Sequence, residues 1–401
     1  MRGALKGIRV LDMSHVLAGP TSTMVLADLG AEVIHIEPPW GDDSRGFGPF
    51  LNGKSAYYVS INRNKKSVVV DIKKREGKKI IRDLIKVSDV LVENFRPGTM
   101  EKLGFSYEEV SKINPKIVYA SISGFGHNTL PEYRGRPSYD MIAQAYSGLM
   151  SITGPEGGPP VRVGTSVGDI VTGYMCVIGI LSALYYRERT GRGQRVDISM
   201  IDSLFFILEN AVLRYTVSGE IPKPLGTAHP SITPFQAFKT KDDWIVIPIG
   251  NDNLWMKFTE AIGHPELKEM EEFKTNRLRT ENKKKLIPIL EDIISKKTTD
   301  EWLKIFEKYG IPSSPINTID RIVNDPHIKY REMLVEVEQP DMGKVKIAGS
   351  PLKLSETPGR VYSHAPLLGE NTLEVLRDIL GYSLREIEEL DDRGIISIHK
   401  P

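Results

Sequence analysis

At 401 residues the chain is long enough for two domains with substantial cores, and its 53 Lys and Arg nearly cancel its 52 Asp and Glu. That balance leaves no global field to favour nucleic acid or an anionic membrane as the main partner, and points to a small ligand bound locally. The single cysteine, Cys176, excludes an internal disulfide, and the eight histidines show no metal-type spacing, so the sequence implies a cytoplasmic setting and no structural metal. The N-terminus enters a strand-like run without the apolar stretch and cleavage site of a secretory leader.

Ile8–Asp12 reads as a strand, Pro20–Leu29 as a helix, Gly30 as its stop and Ala31–Ile36 as a second strand. This βαβ unit is similar to the opening of a dinucleotide fold, with Glu37 placed where a ribose-binding acid would close the second strand. The loop between them, Ser14-His-Val-Leu-Ala-Gly-Pro20, lacks the G-x-G-x-x-G that brings a backbone against pyrophosphate, which argues against an NAD-dependent dehydrogenase. Further strands are predicted at Ser67–Asp71, Asp89–Glu93 and Lys116–Ser121, with helices at Lys74–Val87 and Tyr107–Ile113 between them. Such alternation predicts a Rossmann-like α/β domain: a mostly parallel sheet, helices on both faces, and ligands at the C-terminal strand ends.

The loops at those ends carry His15, the stretch Asp71–Lys74 with Lys73 and Lys74 (Lys65 and Lys66 stand just ahead of that strand), the turn Glu93-Asn-Phe-Arg-Pro-Gly98, and Arg134, Arg136 and Tyr139-Asp140. Each has a plain alternative: His15 as a helix cap, the lysines as a solvated edge, Phe95 as core. As a group, basic, amide and aromatic side chains at strand ends suit an adenine nucleotide with several phosphates.

Arg162-Val-Gly-Thr-Ser-Val-Gly-Asp169 then sets a carboxylate at a glycine-lined turn ahead of an apolar segment. Ser166-x-x-Asp169 matches a capping box, which would make Asp169 structural. The functional reading is that Gly164 and Gly168 let a bulky substrate reach a carboxylate that attacks an activated acyl group. The uncharged run Ile170–Tyr186 is at the short limit for a membrane span and is read as a buried helix. A basic turn, Arg187–Arg195, leads to the strand Arg195–Ser199 and a helix from about Met200.

From about Pro222 the pattern changes to short strands (Phe235–Phe238, Trp244–Ile249) and helices (Asn253–Ile262, Glu281–Ser295, Asp300–Lys308). We expect a large domain over residues 1–224, a smaller α+β domain over 225–330, and a return to the large domain over 331–401, with strands at Leu334–Glu338 and Lys344–Ile347 and helix from Gly369.

Taken in order, Val10-Leu-Asp-Met-Ser-His15, Ala18-Gly-Pro20, Leu29-Gly-Ala-Glu-Val33, Val92-Glu-Asn-Phe-Arg-Pro-Gly98, Gly104-Phe105, Val167-Gly-Asp169, Gly191-Arg-Gly-Gln194 and Ala365-Pro-Leu-Leu-Gly-Glu370 resemble the class III CoA-transferases, the formyl-CoA transferase and carnitine CoA-transferase (CaiB/BaiF) family. The resemblance covers nearly the whole chain. It implies two domains and a homodimer whose chains interlink like rings. It also implies a carboxylate nucleophile at Asp169, carrying anhydride and aspartyl-CoA intermediates, with coenzyme A as substrate and carrier and no other cofactor.

Carried over by position, the CoA contacts are His15, Val70, Lys73, Asn94, Phe95, Lys102, Arg136 and Met200, and the substrate side is Leu17, Tyr139 and Asp140. Lys102 stands where arginine is common, keeping charge but losing the bidentate fork. Two departures separate the chain from the formyl-CoA/oxalate branch: Ile247-Pro-Ile-Gly-Asn-Asp-Asn253 replaces a glycine-rich loop, and Leu17 replaces a glutamine. The resemblance leaves another donor and acceptor pair, with succinyl-CoA the first donor to try. The alternative within the same superfamily is an α-methylacyl-CoA racemase, whose His-Asp acid/base element would fall at Tyr139-Asp140, where tyrosine replaces the histidine.

Overall fold

The computed structural model describes residues 3–399. Six parallel strands, β1 (Arg9–Asp12), β2 (Glu32–Glu37), β3 (Lys65–Val70), β4 (Val90–Glu93), β5 (Val118–Ser123) and β6 (Arg195–Ser199), run in the order β3-β2-β1-β4-β5-β6. The short strand Ile396–Ser397 adds antiparallel to β3 and completes a seven-stranded sheet. β1 pairs with β2 through Val10 opposite Val33, and with β4 through Val10 opposite Val90. The chain therefore leaves β1 toward opposite edges, and a crevice opens where β1 and β4 end.

The strands are read within two residues of their observed bounds because buried parallel strands leave long β-branched runs, as in Val68, Val69 and Val70. The terminal strand was missed, since two residues between turns leave no period to see.

Both faces of the sheet are covered. The helices that matter for the site are α1 (Ala18–Asp28), α2 (Arg75–Lys86), α3 (Asp140–Tyr146), α4 (Val167–Thr190) and α5 (Met200–Phe206). On one face α2 buries Ile80, Ile81, Leu84 and Ile85 beside Val375, Leu376, Ile387 and Leu390 from the returning C-terminal segment. Each such side chain contributes about 1.5–3 kcal/mol, which outweighs the few tenths by which isoleucine disfavours a helix. On the other face α1 and α4 pack Leu26, Ala27, Cys176, Ile180 and Ala183 over β1, β4 and β5.

α4 is long and apolar enough to cross a membrane by length and composition. In the fold it has one face in this core, while Tyr174, Ile178 and Tyr185 are exposed on it. The buried-helix expectation thus holds for one face only.

The chain divides into two compact units. The first takes the described residues through Leu149, Arg162–Leu213, and those from Pro326 onward; the second takes Met150–Val161 and Arg214–Asp325. The excursion Met150–Val161 lies inside the span expected for the large domain, and a polar, glycine- and proline-rich connection gave no sign of it. Within the second unit, strands Phe235–Lys239, Trp244–Pro248 and Ser314–Pro315 form a three-stranded sheet whose core includes Trp255, Phe258, Trp302 and Phe306. The turn that stands in place of a glycine-rich loop is a strand-to-helix connection, closed by the Asn251 side chain accepting the Leu254 N–H at 2.9 Å.

The α1–α4 contact fixes the first turns of both helices. A Cβ on Gly173 would lie 2.9 Å from the Ala18 carbonyl oxygen and 3.0 Å from Thr21 Cβ. On an open helix, Gly→Ala gains about 1 kcal/mol. We expect Gly173→Ala instead to cost about 1–3 kcal/mol by forcing the helices apart, measured by denaturant unfolding; a gain in stability would show that α1 yields freely.

Candidate functional site

The crevice is built on the loop that follows β1. Asp12, at the end of that strand, is fully buried and accepts from Ser14 N–H at 3.0 Å, from Thr23 Oγ1 at 2.6 Å and from Lys65 Nζ at 3.2 Å. The solvated-edge reading of Lys65 is overturned: its ammonium is wholly enclosed and also donates to Asn62 Oδ1 and the Pro20 carbonyl. Lys66 likewise is paired, with Glu32 and Glu374.

One step along, the Asn94 side chain clamps the loop from β4. His15 N–H donates to Asn94 Oδ1 at 2.9 Å, and Asn94 Nδ2 donates to the His15 carbonyl at 2.8 Å. His15 is thereby held by its backbone rather than acting as a helix cap, and burial pushes its imidazole below the ordinary range, keeping it neutral. Glu93 Oε2 accepts the Phe95 N–H at 2.9 Å, turning the Phe95 ring to 5.2 Å from that of His15. Burial raises the Glu93 carboxyl to about 7.

The resulting cleft encloses about 430 Å³ and is lined by His15, Trp40, Val70, Lys73, Phe95 and Leu103 among others. Lys73 Nζ sits 5.6 Å from the Trp40 ring, and Trp40 is 68% exposed at its mouth. A flat aromatic beside a cation suits a purine base and its phosphates, and the apolar wall suits a hydrocarbon arm. Glu37 does not take the ribose role that its position suggested. Its carboxylate is fully buried, forked by Arg45 at 2.7 Å on both oxygens and further held by Ser67 Oγ at 2.6 Å.

The second part of the site is the first turn of α4. The capping-box reading of Asp169 fails, because Ser166 makes no side-chain cap bond. The cap comes from another helix: Asp140, first residue of α3, accepts the Gly168 N–H on Oδ1 at 2.8 Å and Gln144 Nε2 on Oδ2 at 2.8 Å. Gln144 Oε1 in turn accepts the Val163 N–H at 2.9 Å, and Arg162 Nη1 stands 3.7 Å from Asp140 Oδ2. A Cβ on Gly168 would meet Asp140 Oδ1 at 3.0 Å, so the glycine is needed for this contact.

Asp169 is therefore relieved of capping. Among the described residues none donates a hydrogen bond to its carboxylate, and burial, reinforced by the neighbouring charge of Asp140, raises it to about 7. A half-buried carboxylate without partners at a helix N-terminus is poorly solvated and correspondingly basic. It can act as a nucleophile or as a base.

The structure brings His15, Val70, Lys73, Asn94 and Phe95 to the cleft or its frame, and Asp140 to the turn that carries Asp169. Leu17 is buried at the start of α1, and Tyr139 is 72% exposed at the start of α3. Three expected CoA contacts stand elsewhere: Lys102 is exposed and outside the cleft lining, Arg136 lies over the Tyr133 ring at 4.8 Å, and Met200 is buried with Ala143 and Leu204. Tyr57 was not singled out from the sequence, because it sits in an ordinary short helix. Burial and the charges of Asp169, Asp42 and Asp140 raise its hydroxyl to about 12, so it stands in the field of the Asp169 turn as a protonated donor.

The sequence profile of CoA-transferase family III matches residues 5–372. The chain is 41% identical to the human succinyl-CoA:glutarate CoA-transferase over 99% of its own length and 90% of that enzyme's. It is 42% identical to the acetyl-CoA:oxalate CoA-transferase of Acetobacter aceti, over 88% of this chain and 90% of that one. Among solved structures, a CaiB/BaiF family protein from Brucella suis superposes with a TM-score of 0.83 at 36% identity, covering 95% of this chain and all of its own. With the family profile matched across most of its length and relatives that are themselves CoA-transferases, the chain belongs to CoA-transferase family III and is an acyl-CoA:carboxylate CoA-transferase.

Proposed function

We propose that the enzyme moves CoA from an acyl-CoA to a free carboxylic acid through covalent intermediates on Asp169. The observation that carries this is the Asp169 carboxylate itself, without a hydrogen-bond donor among the described residues and raised to about 7. A free acid is a poor acyl donor and a thioester a good one, so passing CoA through an enzyme carboxylate conserves activation without ATP.

Asp169 Oδ attacks the donor thioester carbonyl, the carbon–sulfur bond breaks, and CoA leaves as thiolate from a mixed anhydride. The thiolate attacks the Asp169 carbonyl of that anhydride, releasing the donor acid and leaving an aspartyl-CoA thioester. The acceptor carboxylate attacks this thioester, expelling the thiolate and forming a second anhydride. The thiolate then attacks the acceptor's acyl carbon, giving the new acyl-CoA and free Asp169. The positive end of the α4 dipole favours the negative charge that develops at each tetrahedral stage.

His15, Val70, Lys73, Asn94 and Phe95 hold CoA in the cleft, with Trp40 added as a stacking surface for the base. Leu17, Tyr139 and Asp140 serve the substrate side, Asp140 by fixing the turn. Lys102, Arg136 and Met200, which lie outside that cleft, are assigned to CoA on the family resemblance alone. Relatives named for glutarate and oxalate favour short dicarboxylic acids as acceptors, and succinyl-CoA as a donor to test first. Formyl transfer remains disfavoured by Leu17 and by the capped Asn251 turn. A racemase would need an acid/base pair, and the Asp140 oxygens are already taken by Gly168 and Gln144. The protein works as an interlinked homodimer in the cytoplasm, and the exposed Ile178, Phe205 and Phe206 supply apolar surface for a second copy.

Quenching with acyl-CoAs and weighing the Asp169 peptide tests the mechanism. We expect an acyl- or CoA-sized adduct in the wild type and none in Asp169→Asn; solvent deuterium entering a branched acyl-CoA, with no adduct, would favour the racemase.

The rate of adduct formation should rise with pH to a plateau, with its midpoint near 7, because only the ionised carboxylate attacks. Stability runs the other way. The folded protein holds the Asp169 proton more tightly than the unfolded chain, whose carboxyl sits near 3.8, so stability is lost as pH rises from about 4 to 7. Asp169→Asn should therefore melt higher than the wild type at pH 8, with the difference vanishing near pH 4. Trp40→Ala should weaken CoA binding about tenfold while leaving pantetheine binding unchanged, by titration calorimetry.

A further inference from the structure

Val16 adopts φ 65°, in the left-handed region that a β-branched side chain avoids. It lies between His15, whose backbone Asn94 clamps, and Leu17, which opens α1. No local signal asks for this conformation, since glycine or asparagine would adopt it freely. The restraint comes from Asp42, whose Oδ2 accepts the Val16 N–H at 3.1 Å.

Asp42 is itself fixed from every side. It is 5% exposed, its own N–H donates to Glu37 Oε2 at 2.9 Å, and its Oδ1 accepts the Ser44 N–H at 2.7 Å and the Ser44 hydroxyl. Glu37 is in turn locked by Arg45 and Ser67, and buried His35 places Nε2 4.0 Å from Asp42 Oδ2. The result is a rigid acceptor held against one strained amide. The strained loop leads into the start of α1, which packs on the Asp169 helix: a Cβ on Gly173, one turn beyond Asp169 on α4, would lie 2.9 Å from the Ala18 carbonyl oxygen, and the charges of Asp42 and Asp169 both act on Tyr57.

We propose that Asp42 is a positioning residue for the transferase reaction, holding Val16 in the left-handed conformation so that the His15–Leu17 backbone keeps one fixed face toward the acyl group on Asp169. The kinetic part rests on the Asp169 mechanism above, while the structural part does not.

The test combines Asp42→Ala, Val16→Gly, the double variant and Ser44→Ala, each read by amide hydrogen exchange of the Ser14–Leu17 segment and by the acylation rate of Asp169. In Asp42→Ala the Val16 amide should lose protection, and acylation should slow roughly ten- to a hundredfold, the penalty expected for releasing a strained residue beside the reacting centre. CoA affinity should change far less, because Asn94 still clamps His15. Adding Val16→Gly to Asp42→Ala should recover about tenfold or more, since glycine adopts the same backbone without help. Ser44→Ala loses the hydroxyl contact to Asp42 Oδ1 but keeps the Ser44 N–H bond, and should loosen the Val16 amide and slow acylation less than Asp42→Ala does.

A Val16 amide still protected in Asp42→Ala would overturn the proposal. So would a double variant no faster than Asp42→Ala, or a Ser44→Ala variant slower than Asp42→Ala. If the wild type forms no Asp169 adduct, the covalent mechanism fails, and the exchange data alone decide whether Asp42 holds the loop.

Discussion

The buried Asp12 carboxylate ties the active-site half of the molecule together. Burial by itself would keep it protonated, but Lys65, His35, Ser14 and Thr23 converge on its two oxygens and hold it well below the ordinary carboxylate range. Those partners come from β3, β2, the loop after β1, and α1, so one charge orients four pieces of chain around the crevice. Two unpaired ions enclosed in protein would each cost several kcal/mol, and attraction repays that only where the remaining valences are also filled. Here they are: Lys65 spends its other protons on Asn62 and Pro20. The pair contributes little net stability against an apolar equivalent, and its value lies in geometry.

Outward from Asp12 the local rules are broken in sequence, and each break has an identifiable support. Val16 is strained and Asp42 holds it; Glu93 is buried and holds Phe95; Asp169 is half-buried and has no donor among the described residues. Each feature costs stability where it stands, of order 1–3 kcal/mol for a left-handed β-branched residue. Such concentration around one crevice is what a site selected for reactivity rather than stability produces.

Legibility in the sequence followed the range of the forces involved. Strand and helix periods are local, so the six parallel strands and the amphipathic α2 could be placed from sequence spacing. The reversal of strand order at β1 was legible only as an expectation of fold class, whereas the lack of a G-x-G-x-x-G after β1 is plain in the sequence itself. What failed was non-local. Ser166-x-x-Asp169 has the spacing of a capping box, but Asp140, twenty-nine positions earlier than Asp169, reaches the Gly168 N–H first. Lys65 looked solvated beside three other lysines, yet its neighbours in space include a carboxylate fifty-three positions away. The CoA roles of Lys102 and Met200 rest on resemblance alone, since no local spacing marks either. Tyr57 carries no local mark at all; only the folded chain puts it in the field of Asp169.

Asp140 shows how a single substituted role changes the chemistry available. A helix N-terminus exposes several N–H groups that attract the nearest carboxylate, and Asp169, in the first turn, is well placed to be captured by them. A captured carboxylate is well solvated by hydrogen bonds, weakly basic and a poor nucleophile. By supplying the cap from α3, Asp140 satisfies the Gly168 amide and adds its own negative charge nearby. Both effects act in one direction: Asp169 loses donors that would lower its basicity, and gains a neighbour that raises it. The relocation of one hydrogen bond thus leaves the Asp169 carboxylate more basic than a captured one, and on the covalent reading proposed above that is how a weak nucleophile would be activated without a general base.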